Sequence, residues 1–107
     1  MTSTTSIVRL TTPVETGTRL YDHYQTAQLA RVSIRSLLKY WRYGIIKPKN
    51  RGERYGIYFE EEAIYRVRKA ENIRATMRTD IASAAAIFKL IEENEHLKTE
   101  LRFIRKL

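Results

Sequence analysis

The chain has 107 residues, enough for one compact domain with appendages; 43% are apolar and 30% charged, with no run near the roughly 18–20 apolar residues of a membrane span. It contains no cysteine, which excludes disulfides, thiolate metal sites and cysteine nucleophiles, and its start, MTSTTSIVRL, lacks the basic end and long apolar stretch of a secretory signal, so a cytoplasmic protein is expected. The net charge of +8 points to polyanionic partners, nucleic acid above all, through phosphate neutralisation.

Residues 1–18 are rich in Thr and Ser, with Pro13 and Gly17 as breakers; they read as a flexible tail carrying a short strand at Ser6–Leu10. A short helix follows over Asp22–Ala30, with Ala27 and Leu29 turned inward. The chain bends at Arg31 and Val32, and Ser33 is placed to cap a second helix that runs from Ile34 to Tyr43 and stops at Gly44. Two such helices on so short a turn predict a helix-turn-helix. Ile45–Lys47 and Tyr55–Tyr58 read as two strands of a hairpin wing, with Pro48, Asn50 and Gly52 between them. Glu60, Glu61 and Glu62 open a third helix, placing acid at its positive end, and Ile64, Val67, Ile73 and Met77 give it a partial apolar face.

Thr79 and Asp80 form a fresh N-cap for a last helix. Ile87, Asn94 and Leu101 fall at one position of a seven-residue repeat, and Leu90, Leu97 and Ile104 at the other. This is the seam of a coiled coil, with Asn94 as a polar residue that fixes register, and it predicts a homodimer; the alternative is a helix folded back on its own domain. The expected division is a tail over 1–18, a winged helix-turn-helix domain over 19–78 and a dimerisation helix over 79–107. The fold class is mainly α, with a short β-hairpin wing and a C-terminal coiled coil.

Charge is concentrated on the second helix and the wing. Arg31, Arg35, Lys39 and Arg42 recur at spacings of four, four and three, which puts them on one helical face; Ile34, Leu37, Leu38 and Trp41 are expected to form the dry face. Lys47, Lys49, Arg51 and Arg54 extend the basic set into the wing, and the only acid between Arg31 and Arg54 is Glu53. These are the two elements that a winged helix-turn-helix presents to double-stranded DNA. Tyr40, Tyr43, Tyr55 and Tyr58 add hydroxyl donors for phosphate. Arg35 is the expected base reader, since arginine bonds guanine bidentately, and Lys39, Arg42, Lys49, Arg51 and Arg54 are expected on phosphates. Two paired copies would bind a pseudo-palindromic site. Catalysis has no support: His23 and His96 stand alone, the four glycines form no phosphate loop, and no cofactor or metal is expected.

Tyr21 to Pro48, Y-D-H-Y-Q-T-A-Q-L-A-R-V-S-I-R-S-L-L-K-Y-W-R-Y-G-I-I-K-P, resembles the MerR-type DNA-binding region, and R-Y-G-I-Y-F-E-E-E at Arg54–Glu62 resembles that family's aromatic wing strand and acidic helix start. The resemblance implies that Ser33 caps the recognition helix, that Arg35 and Tyr40 contact DNA, that wing residues including Tyr55 grip the backbone, and that the C-terminal helices pair antiparallel. Three positions depart from the pattern: Arg31 replaces a small turn residue, Thr26 an apolar one, and Gly56 the basic residue after the wing tyrosine. The segment I-R-A-T-M-R-T-D-I-A-S-A-A-A-I-F-K-L-I-E-E-N-E-H-L-K-T-E-L is similar to the chaperone-modulator (CbpM) branch of the family, which implies a different partner, the J-domain of a DnaJ-type co-chaperone. Two readings follow. The leading one is a dimeric DNA-binding transcriptional regulator with no effector-sensing domain; the alternative is a modulator that binds a J-domain.

Overall fold

The computed structural model describes residues 19–50 and 56–107. The expected tail over 1–18 and its Ser6–Leu10 strand lie outside the described residues, as do Arg51, Arg54 and Tyr55. In chain order the elements are β1 (Leu20–Asp22), α1 (His23–Ala30), α2 (Ile34–Arg42), β2 (Lys49–Asn50), β3 (Ile57–Glu60), α3 (Glu61–Met77) and α4 (Ile81–Arg105).

Helix ends are set by local hydrogen-bond chemistry. Asp22 caps α1 in a reciprocal box, its Oδ1 accepting from Gln25 N at 2.8 Å while Asp22 N donates to Gln25 Oε1 at 3.0 Å. Ser33 Oγ accepts from Ser36 N at the start of α2, and Asp80 Oδ1 from Ser83 N at the start of α4. Three helices end in a left-handed residue: Arg31 (φ 64°), Gly44 (φ 82°) and Arg78 (φ 54°). After each, an amide reaches back to satisfy a late carbonyl: Val32 N to Ala27 O, Ile45 N to Tyr40 O, and Thr79 N to Arg74 O, at 2.9–3.0 Å. Only Gly44 adopts this conformation without the crowding that a Cβ brings.

The three strands form one antiparallel sheet in the order β1-β3-β2, with Tyr21 opposite Phe59 and Lys49 opposite Tyr58. Among the described residues both strands lie later than expected. Ile45 and Ile46, read as strand from their apolar run, are buried in the connection after α2, and the extended pairing begins only at Lys49. β1 is an addition that the sequence reading did not contain.

The core lies between the helices and the inner face of this sheet. Leu37, Tyr40, Phe59, Val67 and Ala70 have no accessible surface, and Trp41 meets Phe59 edge to face with ring centroids 5.8 Å apart. Thr26 is buried too; its hydroxyl donates to the Asp22 carbonyl at 2.8 Å, which is how a polar residue occupies a position where the family pattern is apolar. Leu29 and Met77, expected inward, are exposed. Met77 is the last residue of α3, and Leu29 lies about 100° around α1 from the buried Ala30.

α4 is divided. Its first two turns pack on α3 and α2 and bury Ala84, Ala85 and Phe88, whereas every residue from Lys89 onward is exposed. The small side chains Ala63, Ala70, Ala84 and Ala85 are all buried, and small residues let helix backbones approach closely. The helix is thus partly core and partly projection, and the fold-back alternative describes only its N-terminal part. Among the described residues no helix is long and apolar enough to cross a membrane.

Candidate nucleic-acid interface

α2 carries opposite characters on its two sides. Leu37 and Tyr40 are fully buried, and Ile34 and Trp41 pack at the edge of the core. Arg35, Lys39 and Arg42 are all exposed and share the outward arc, so the cationic face read from their spacing is present as a surface. Arg31 is exposed just before it, at the left-handed turn that joins α1 to α2.

The remaining expected residues divide. Ser33 has its oxygen engaged by the Ser36 amide and lies 3.2 Å from the Ser36 hydroxyl, which fits the capping role. Lys49 stands at the base of the wing, exposed, with Nζ 3.5 Å from Glu60 Oε2. Such an exposed pair is weak and leaves the ammonium free to exchange partners. Tyr43 is partly exposed at the end of α2 and Tyr58 is half-buried in β3. Arg51, Arg54 and Tyr55 lie outside the described residues.

Two expectations for α2 are corrected. Tyr40, which the resemblance puts at DNA, has no accessible surface; its hydroxyl donates to Glu71 Oε1 at 2.7 Å across the α2–α3 contact. Burial, then this bond to a carboxylate, push its ionisation well above the ordinary tyrosine value. Leu38, expected in the dry face, is 47% exposed. The cause is common to both. The buried arc is centred on Leu37; at about 100° per residue Tyr40 lies about 60° to one side of it and Ile34 about 60° to the other, whereas Leu38 lies about 100° away.

Long-range polar contacts, absent from the sequence reading, hold α2 in place. Glu71 also accepts from Arg74, with Nη2 2.7 Å from Oε2, and this bond, ahead of the Tyr40 hydroxyl, holds the Glu71 carboxyl below the usual carboxylate range against the opposing effect of burial. Arg66 Nε donates to the Ile45 carbonyl at 2.6 Å, its guanidinium pairs with Glu92, and it lies 4.8 Å over the Phe88 ring. Lys89 reaches Gly44 so closely that a Cβ there would come within 2.9 Å of its Nζ. Near the start of α4, the Ser83 amide chiefly lowers the pKa of Asp80, and Lys39 adds a small contribution. Apart from the Asp80 cap and the i,i+3 spacing of Glu71 and Arg74, none of these pairs has a sequence signal.

The proposed seam is split in the same way as α4. Ile87 is half-buried against its own domain, whereas Leu90, Asn94, Leu97, Leu101 and Ile104 are exposed, the leucines and Ile104 by about half or more. Among the described residues no group of three or more His, Asp or Glu side chains is placed to hold a metal.

The architecture is that of a winged helix-turn-helix: a capped second helix with a cationic outer face, a short antiparallel wing, and a helix that leaves the domain beside it. No curated protein matches the sequence. The family described as MerR HTH family regulatory protein matches residues 21–106, from β1 through the whole of α4. That match spans both the helix-turn-helix and the projecting helix, and the chain belongs to the MerR helix-turn-helix family of regulatory proteins.

Proposed function

We propose that this chain is a homodimeric, sequence-specific DNA-binding transcriptional regulator. The observation that carries the reading is the outer face of α2: Arg35, Lys39 and Arg42 are exposed together, while Leu37 and Tyr40 opposite them are locked in the core. A helix so divided presents its cations as a rigid set to the major groove. Arg35, in the first turn of α2, reads a base; Lys39, Arg42 and Lys49, with Arg51 and Arg54, neutralise phosphates. Arg31 and the Ser33 end of the helix approach the backbone. The exposed half of α4 pairs with a second copy along Leu90, Asn94, Leu97, Leu101 and Ile104. Its heptad period and single seam asparagine favour a helix of the same kind as the occupant. The target is then a pseudo-palindrome with half-sites a helical turn or two apart.

Selection from a randomised duplex library at physiological salt tests the reading. Enrichment of a two-fold-symmetric motif is the expected result; retention of DNA without enrichment is what +8 of charge produces on any duplex, and overturns it. The second reading, a modulator seated on the J-domain of a DnaJ-type co-chaperone, draws on the likeness of the α3–α4 segment to that branch and on the exposed apolar length of α4. A library that stays random makes it the leading one.

A further inference from the structure

On α2 one exposed residue is not a cation and not part of the core. Leu38 is 47% exposed and stands outside the rim of partly buried side chains, which on this helix takes in Ile34 and Trp41. Single exposed leucines are ordinary on protein surfaces, so exposure alone says little. Position is what distinguishes this one. At about 100° per residue, Leu38 lies roughly 40° around the helix from Arg42 and roughly 60° from Arg35, between the cationic arc and the partly buried Ile34. It sits three residues after the expected base reader and four before the last cation of the helix. A placement of α2 that centres Arg35 and Arg42 on DNA brings Leu38 to the edge of the same contact.

The chemistry of the groove then limits what Leu38 meets. Base edges in the major groove offer hydrogen-bond donors and acceptors, and one apolar group, the 5-methyl of thymine. A leucine has no hydrogen bond to give, and against a guanine or cytosine edge it would strip water from polar atoms without replacing it. Against a thymine methyl both apolar surfaces leave water together.

We infer that Leu38 is a specificity-determining residue that reads the methyl group of one thymine in each half-site. The inference rests on the DNA-binding reading above and adds to it a base that the arginines do not select.

The test uses the full chain and a duplex selected from the randomised library, in which each thymine is replaced in turn by deoxyuridine, removing only the methyl group. For the wild-type protein, replacement at one symmetry-related thymine is expected to weaken binding roughly fourfold, the worth of one buried methyl-sized group, with no effect elsewhere. Leu38→Ala stays folded, since the site is half-exposed and alanine favours helix, and binds the thymine and deoxyuridine duplexes equally. Uniform indifference of the wild type to deoxyuridine overturns the inference while leaving the selected motif, and hence the DNA-binding reading, intact. A full deoxyuridine penalty in Leu38→Ala also overturns it, because another residue then reads the methyl. A library with no enriched motif removes both.

Discussion

Replacing Tyr40 by phenylalanine separates the two roles that sequence and structure give this residue. The ring stays in its fully buried site, and only the hydroxyl is lost. That hydroxyl donates to Glu71 at 2.7 Å, a charge-assisted bond, but Glu71 retains Arg74 and has a side chain 28% exposed, so water can take up part of the loss. The cost belongs at the low end of hydrogen bonds to charged groups, about 1–1.5 kcal/mol, which for a domain of this size lowers Tm by roughly 5–10 °C. Thermal melts of Tyr40→Phe, Glu71→Ala and the double variant form a cycle, and a coupling of about 1 kcal/mol is expected because the two groups touch. Affinity for a selected DNA site, measured well below Tm, stays within about twofold, since a side chain inside the core has no reach to a phosphate. Additive melting effects, or a Tyr40→Phe protein that melts normally and loses DNA, would refute the assignment.

Three further outcomes follow from the same geometry. Arg35→Ala should relax sequence preference at a cost on the order of 1–3 kcal/mol, whereas Lys49→Ala should weaken all sequences alike and reduce the salt slope by about one; equal losses on every sequence for both variants would remove the division between base reader and phosphate contact. Leu97→Lys puts charge into the exposed seam and should sediment as a monomer where the unaltered chain sediments as a dimer, and an unchanged profile would rule out pairing through this helix. Glu71, whose carboxyl is held low chiefly by Arg74, contributes stability that is fully present above about pH 4.3, its unfolded value, and lost as pH falls through its lower folded value. Melts below pH 4 should therefore lose stability more steeply in the wild type than in Glu71→Gln, and parallel slopes would contradict that linkage.

What the sequence discloses here is what local chemistry decides. Asp22, Ser33, Gly44 and Asp80 each act within a few residues of themselves, and the helices they bound, α1, α2 and α4, lie close to where the sequence puts them. Strands depend on distant partners. A two-residue β2 and a three-residue β1 are too short for an alternating pattern, and the apolar pair Ile45–Ile46 looks like strand although it is buried connection. The cationic arc of α2 follows from spacing alone, because Arg35, Lys39 and Arg42 fall on one side of any helix. Where the buried arc is centred does not, since α3 and α4 decide it from outside. That is why Tyr40 and Leu38 exchanged the places expected of them.

The junction at which α4 leaves the domain links these local and distant effects. Its exposed part begins at Lys89, which reaches Gly44, and one turn later Glu92 is held by Arg66, which also takes the Ile45 carbonyl. Both contacts end on Gly44 and Ile45, just beyond the end of the recognition helix. The Arg66–Glu92 ion pair is partly exposed and adds little to stability, so the consequence of these contacts is geometric. They tie the direction of the projecting helix to the C-terminal end of α2 through side chains rather than through a flexible linker. In the proposed dimer the separation of the two recognition helices is then a property of the folded domain, fixed before DNA is met. A rigid spacing of this kind is what a binding site with a defined distance between half-sites requires.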